Sequence, residues 1–362
     1  MLECRSMEKP TITITCLAYR SLSTTPLAVA SAWNLDYAGP VEILIREQGS
    51  DPEELVALEQ LASELGSASN RSISVVEGEN LGFAGGHNTL FRQAKGEFIL
   101  ALNADAVLQP DYLDKALAAF SDPQVGAVQG KLLRWDIQRQ DSPVMRDGMA
   151  VIDTTGLLPL KNRRIVNRGM GETDRGQYDE PGEVWGADGA VPIYRKAALD
   201  DVAYPKATSD KRQATIPEFF DEDFFAYKED VDLAWRLQWR GWKTAYVPTA
   251  VAWHGRGAGE NAATDYRSII AERKKISPLL KYYSFSNQRL LLYKNEDFGR
   301  YLRDLPKWIV KEVGAWGYAL LFEGRALAAI WRTIRLLPAI HAKRKYTMSR
   351  RTEGANPYSF FK

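Results

Sequence analysis

Cysteine, histidine and long apolar runs are all scarce in this chain of 362 residues. Its two cysteines, Cys4 and Cys16, offer neither a disulfide framework nor a metal-ligand spacing, which fits a reducing compartment. The first ten residues lack the apolar segment of a signal peptide, so the expected location is cytoplasmic. The longest charge-free run of the C-terminal stretch, Val313 to Phe322, is ten residues. That is about half of the ~20 needed to span a bilayer. The glycines from Gly82 to Gly86 lack the third glycine of a dinucleotide fingerprint and the Gly-Lys-Ser/Thr ending of a phosphate loop, which removes nicotinamide and P-loop chemistry.

What is present is a large apolar fraction, 45% of residues with ten tryptophans, enough for one large or two ordinary folded domains. Thr11 to Leu17, Val41 to Ile45, Ile73 to Val76 and Phe98 to Leu102 read as strands. Helical segments alternate with them, one beginning near Pro26 and one at Asp51-Pro52-Glu53-Glu54 with leucines at 55, 58, 61 and 65. The alternation predicts an α/β fold, a parallel sheet covered on both faces with ligands at the carboxyl ends of its strands. The loops after those strands carry Glu47 to Asp51, Glu79 to Asn88 and Asn103-Ala104-Asp105. In the second, glycines would let backbone approach a ligand and a helix starting near Gly86 would aim N–H groups at phosphate; the bland alternative is a tight turn. Asp105 is a candidate ligand for a divalent cation, with His254 as a distant partner.

The densest chemistry lies between Phe219 and Arg256. Glu229, Asp230 and Asp232 open a predicted helix, Leu233 to Trp239, whose apolar stripe is Leu233, Ala234 and Leu237. Asp230 falls one turn before the stripe, where unpaired N–H groups and the helix dipole favour its ionised form. That suits a general base, although acids in a first helical turn are also ordinary capping residues. A strand from Lys243 to Val247 leads toward His254. Arg134 to Gly182 is poor in apolar residues and reads as an inserted or mobile loop; Ala207 to Thr215 and Gly255 to Asp265 read as flexible polar segments.

Five of these pieces, in order, resemble the family 2 glycosyltransferases of the GT-A fold, and among them the rhamnosyltransferase-like members. They are Asn80 to Asn88, Leu102-Asn103-Ala104-Asp105, Trp185-Gly186-Ala187 with Arg195, Phe220 to Leu233, and His254, and the resemblance spans Thr11 to Lys294. It implies a nucleotide-diphospho-sugar transferase fold, a Rossmann-like mixed sheet flanked by helices, over residues 1–295. Residues 1–105 would bind the nucleotide sugar and 106–295 the acceptor. It further implies that Glu47 contacts the base, that Asn80, Gly82, Phe83, Gly86, Asn88 and Asn103 border the donor, and that Asp105 and His254 bind a Mg²⁺ or Mn²⁺ ion with the diphosphate. Asp230, with Glu229 beside it, would be the catalytic base of an inverting transfer, and Trp185 and Asp188 would meet the acceptor. Tyr282 to Arg289 resembles a segment that closes the donor site in these relatives, with Arg289 on the diphosphate. The pattern departs at Asn103, where the first Asp of Asp-x-Asp is usual, and at Ala18-Tyr19-Arg20 and Glu47 to Ser50, which bears on the metal and on the base contacts.

Residues 296–362 differ in charge. Arg300 to Thr352 carry twelve lysines and arginines against Asp304, Glu312 and Glu323. Pro306 to Lys345 is predicted to form basic amphipathic helices bearing tryptophan, which points to anionic lipid, with Lys343-Arg344-Lys345 adding attraction. The alternative is packing on the catalytic domain or another subunit; a nucleic-acid role is disfavoured because the helical faces are largely aromatic and apolar. The expectation is an inverting hexosyltransferase, peripheral on the inner face of the cell membrane. It would move L-rhamnose from dTDP-rhamnose to a polyprenyl-diphosphate-linked saccharide. A UDP-sugar donor, a soluble acceptor and a non-catalytic nucleotide-binding scaffold stay open, as does an oligomer.

Overall fold

The computed structural model describes residues 9–49, 51–66, 68–136, 143–207, 215–255 and 266–362. A ten-stranded mixed sheet organises them. From one edge its main path runs Gly182–Val184, Lys243–His254, Val125–Arg134, Ile193–Arg195, Phe98–Leu102, Ile12–Ala18, Val41–Glu47 and Arg71–Glu77. The last four are mutually parallel, in a register that sets Ile12, Ile14 and Cys16 beside Val41, Ile43 and Ile45. Ile193–Arg195 runs antiparallel to both of its neighbours and joins this block to the parallel pair Val125–Arg134 and Lys243–His254. Val41–Glu47 is buried on both faces, as a strand covered by helices must be.

The helix Pro52–Leu65 starts as its sequence dictates, with the Asp51 carboxylate accepting the Glu53 N–H at 2.9 Å and proline in the first turn. Elsewhere boundaries move. The helix expected from Leu233 begins at Glu229, so Glu229 and Asp230 lie inside its first turn. The strand expected to stop at Val247 continues to His254 through a register shift between Val247 and Val251. Pro248, which has no N–H to give the ladder, sits within that irregularity, which is why the alternating pattern broke there.

Two larger expectations are corrected. The described part of Arg134 to Gly182 is not a surface loop: Ile152–Thr154 joins the main sheet on Val125–Arg134, and Leu157–Pro159 pairs with Ile165–Asn167. Its low apolar content reflects buried polar residues, among them Asp153, Thr154 and Arg163. The polar segments expected around 207–215 and 255–265 lie almost wholly outside the described residues.

The boundary at 295 does not separate two cores either. Ile340 and Tyr358 share an apolar cluster with Trp185, Trp235, Trp239 and Leu290 to Leu292. The helix Ala326–Ser349 lies along Pro278–Asn295. Charges stitch the same seam. Lys343 pairs with Glu218, Asp221 and Asp223, Lys294 with Asp221 and Asp232, and Arg344 donates to the carbonyls of Tyr293, Lys294 and Glu296. Lys343 and Arg344 are therefore committed to the protein rather than offered to lipid, Lys343 neutralising the acidic loop beneath it and Arg344 capping backbone carbonyls. Lys345 is exposed.

Candidate active site

At the carboxyl ends of the central strands lies a cavity of about 610 Å³. Seven of the residues singled out from sequence line it: Phe83, Asn103, Asp105, Asp188, Glu229, Asp230 and His254.

Asp230 sits in the first turn of Glu229–Trp239, accepting the Val231 N–H at 2.7 Å and the Gly189 N–H at 3.1 Å. Burial, and next the charge of Asp188, lift its carboxyl to about 6, while Lys228 and those two N–H groups pull the other way. Glu229 is buried more completely. Burial first and Asp230 second push its carboxyl well above the usual range, and one of its oxygens, Oε2, has no hydrogen-bond partner among the described residues. Of the two, Asp230 is the one able to carry charge and take a proton near neutrality. Asp188 is fixed by the Ala190 N–H at 3.0 Å and the Asn167 amide at 2.7 Å.

The backbone leading into this helix is strained. Phe225, Tyr227 and Lys228 have φ of 62°, 76° and 75°, a left-handed region that side-chain-bearing residues rarely adopt. Asn287 Nδ2 lies 3.0, 2.9 and 2.7 Å from the carbonyl oxygens of Phe224, Ala226 and Tyr227, and its Oδ1 accepts from Arg332 at 2.8 Å. The C-terminal helices thus hold the segment that carries Asp230. Sequence reading missed Asn287 and Arg332 as site-shaping residues; Asn287 lay in plain view within the quoted Tyr282 to Arg289 segment.

On another wall, His254 is suspended between two carboxylates, Nδ1 at 2.8 Å from Asp153 and Nε2 at 3.2 Å from Asp105, with Asn103 Nδ2 3.3 Å from Nε2. Burial alone would lower the imidazole, but Asp105 and then Asp153 outweigh it and raise it to about 10. The two carboxylates thus favour its protonated form. Asp153 gave no signal in the sequence, being one acid in a three-residue strand of a polar region.

The donor set fits a hard divalent cation in one respect: a carboxylate orients His254 through Nδ1 and leaves Nε2 facing Asp105, the arrangement of a carboxylate-backed metal histidine. The pair gives two ligands at most, since among the described residues no group of three or more His, Cys, Asp or Glu side chains is arranged to hold a metal ion. The remaining positions would fall to substrate oxygens and water.

Other expected residues are placed elsewhere. Glu47 is buried at the end of Val41–Glu47 and accepts the Gly49 N–H at 2.7 Å. Asn80 accepts the Gly82 N–H at 2.8 Å. Gly82 has φ of 70°, and a Cβ there would strike the Phe225 carbonyl, which already accepts from Ala84 N–H. The helix Gly82–Phe91 thus gives the Gly82 and Ala84 N–H groups to Asn80 and Phe225, and Gly82 serves the strained segment. Gly86 is kept small by Leu17 and Gln48. Asn88 is fully buried and pins Phe220, accepting its N–H and donating to its carbonyl, both at 2.8 Å. Two assignments are corrected outright. Trp185 is 1% exposed and donates its indole N–H to the Pro357 carbonyl, so it is core and not an acceptor contact. Arg289 pairs with Glu312 at 2.6 Å over the ring of Phe285, which turns it into the helical layer rather than toward the donor.

The mixed sheet and its acidic cavity are of the GT-A class of folds. More particularly, a model of Glycosyltransferase like family 2 matches residues 10–267, and the chain belongs to that family. It is similar to an N-acetylglucosaminyltransferase of Azorhizobium caulinodans, 25% identical over 250 residues, covering 67% of this chain and 54% of that protein. It is also similar to the N-acetylglucosaminyl-diphospho-decaprenol L-rhamnosyltransferase of Mycobacterium tuberculosis, 29% identical over 226 residues, covering 58% of this chain and 64% of that one. The chain thus matches between about half and two thirds of the length of these curated relatives. Among solved structures, S. aureus TarS 1-349 in complex with UDP-GlcNAc aligns over 94% of this chain and 88% of its own, with a TM-score of 0.50 and 16% identity, a likeness of fold alone.

Proposed function

We propose that the chain is an inverting glycosyltransferase that moves a sugar from a nucleoside-diphosphate donor to a hydroxyl of a saccharide carried on a polyprenyl diphosphate, with dTDP-L-rhamnose as donor. The observation that carries the transfer chemistry is the placement of Asp230: a carboxylate raised to about 6, in one cavity with the Asp105 and His254 pair. Asp230 would take the acceptor proton as that oxygen attacks the anomeric carbon opposite the leaving diphosphate. Asp105 and His254 Nε2 would hold a Mg²⁺ or Mn²⁺ ion, which when bound supplies charge stabilisation to the diphosphate. For that, Nε2 must give up its proton, so cation binding releases protons.

The rhamnosyl donor and lipid-linked acceptor are supported by the mycobacterial relative's activity. A UDP-sugar donor is the second reading, supported by the N-acetylglucosaminyltransferase relative. Among the described residues no helix is long and apolar enough to cross a membrane. Peripheral attachment is supported by Val310, Val313, Leu320, Leu321, Phe322, Leu327 and Trp331, all exposed on the C-terminal helices, with Lys307, Arg325 and Arg335 exposed near them. The test is a thermal-shift screen of dTDP, dTDP-rhamnose, UDP and UDP-GlcNAc with and without Mg²⁺ or Mn²⁺. A cation-assisted shift with dTDP-rhamnose is expected. A shift confined to UDP ligands would retire the rhamnosyl donor, and no shift with any nucleotide would retire the enzyme.

A further inference from the structure

We infer that a second cavity, between the start of the helix Pro278–Asn295 and the turn joining the two long C-terminal helices, binds one acyl chain of an anionic phospholipid, with the lipid phosphate on Lys281 and Arg325. Such a site presupposes the peripheral attachment read above and gives it a specific lipid contact.

The cavity measures about 260 Å³ and is separate from the one that holds Asp230. Pro278, Lys281, Tyr282 and Phe285 supply one side of it, at the i, i+3, i+4 and i+7 spacing of a single helix face. Leu280 falls off that face and lines the catalytic cavity instead, so the first turns of this helix part the two cavities. Phe322, Ala326 and Ala329 supply the other side, from the helices Leu305–Phe322 and Ala326–Ser349. Both alanines are buried, and their short side chains leave space that a longer one would fill. The lining is mainly apolar, and an apolar cavity of ~150 Å³ already takes up a hydrocarbon as large as benzene.

The charges at this cavity are unequally answered. Glu323, in the lining, is taken by Arg273, whose Nε and Nη2 lie 2.5 and 2.8 Å from its two oxygens. Lys281 gives a long hydrogen bond of 3.4 Å to the Lys274 carbonyl, and neither it nor Arg325 forms an ion pair among the described residues. Two cations therefore stand beside apolar walls without a carboxylate. Arg325 is exposed, Phe322 of the lining is 71% exposed, and exposed Leu321 and Leu327 continue the apolar surface on either side of the turn. This combination complements a hydrocarbon chain, a phosphate and the bilayer that offers both. The sugar acceptor belongs with Asp230 on the other side of the helix, which leaves this cavity to a bilayer lipid.

The test measures binding of monomeric dioctanoyl-phosphatidylglycerol, its phosphatidylcholine analogue and farnesyl diphosphate to the full chain by calorimetry. Co-sedimentation with phosphatidylcholine vesicles, with and without phosphatidylglycerol, is measured alongside. The variants are Ala326→Leu and Ala329→Val, which fill the cavity and leave its charges alone, and the double variant Lys281→Gln, Arg325→Gln. Wild type should bind one dioctanoyl-phosphatidylglycerol about tenfold more tightly than the choline lipid, the scale of one charge-assisted contact. Each filling variant should bind both short lipids about tenfold more weakly, while its lipid-free melting temperature holds or rises. The double variant should bind the two lipids alike and keep the choline lipid. Wild-type lipid affinity in a folded filling variant overturns the chain site. An unchanged preference in the double variant overturns the phosphate contact, and it does so even if both filling variants fail to fold. A wild type that binds farnesyl diphosphate but neither short lipid gives the cavity to an isoprenyl phosphate and overturns the phospholipid. Vesicle binding without monomer binding overturns this site alone, whereas a wild type indifferent to both kinds of vesicle overturns peripheral attachment itself.

Discussion

The two walls of the cavity are built on opposite principles. The Asp105 and His254 wall stands on the ends of sheet strands and sets the His254 ring between two carboxylates that favour its charged form. The Asp230 wall stands on a segment with three left-handed residues and carries crowded carboxylates lifted above their ordinary range. Rigid strand ends suit a group that holds charge in place. A carboxylate whose ionised form is disfavoured suits a group that takes up a proton. The difference also shows where the stability of each wall originates: the first in the sheet, the second in the C-terminal helices through Asn287, Arg332, Lys294 and Lys343.

The sharpest division between the walls should come from Asp230→Asn. Transfer is expected to fall by roughly 100- to 10,000-fold, the range for removing a general base, with nucleotide binding kept. Melting temperature at pH 7 should not fall, because a carboxyl raised in the native state weakens folding once ionised, and asparagine removes that charge. A variant with transfer near the wild-type level would erase the distinction between the walls.

Lys294→Met attacks the support of the Asp230 wall instead. Lys294 is fully buried between Asp221 and Asp232, and stripping one partner from a buried ion cluster typically costs about 3–5 kcal/mol. Denaturant unfolding should show that loss, and the same substitution at exposed Lys307 should leave stability within ~0.5 kcal/mol. Equal effects would mean that the helices do not carry this wall.

A smaller effect is expected on the other wall. Asp153→Asn withdraws the carboxylate behind His254, and loss of such support typically weakens a metal site by about 10- to 100-fold. Mn²⁺ titration followed by calorimetry in the presence of nucleoside diphosphate should show it. Unchanged affinity would remove His254 from the cation site.

The contrast explains what the sequence disclosed. Strands such as Val41–Glu47 and Phe98–Leu102, and the capped helix after Asp51, follow from alternation, apolar runs and cap chemistry, all local signals. Asp105, Asp230 and His254 were legible as acids and a histidine near element ends, Asp188 only through the family resemblance, and the four meet in one cavity. Asp153 was not, since only tertiary pairing brings it to His254, 101 positions away. The C-terminal helices misled for the same reason. Their positive charge looked available, but Lys343 and Arg344 answer an acidic loop more than a hundred and a carbonyl cluster about fifty positions earlier. Arg289 and Trp185 were read from motif position, and their side chains turned out to face Glu312 and Pro357.

The most direct test of Asp230 as base is the pH dependence of kcat at saturating donor, acceptor and divalent cation. As a base Asp230 would act in its ionised form, and burial with the charge of Asp188 raises its carboxyl to about 6. The rate should therefore be flat above pH 7 and fall about tenfold per pH unit below 6, and the residual rate of Asp230→Asn should lack this limb. A wild-type rate that stays flat from pH 7 down to 4.5, or an unchanged acid limb in Asp230→Asn, would contradict the account.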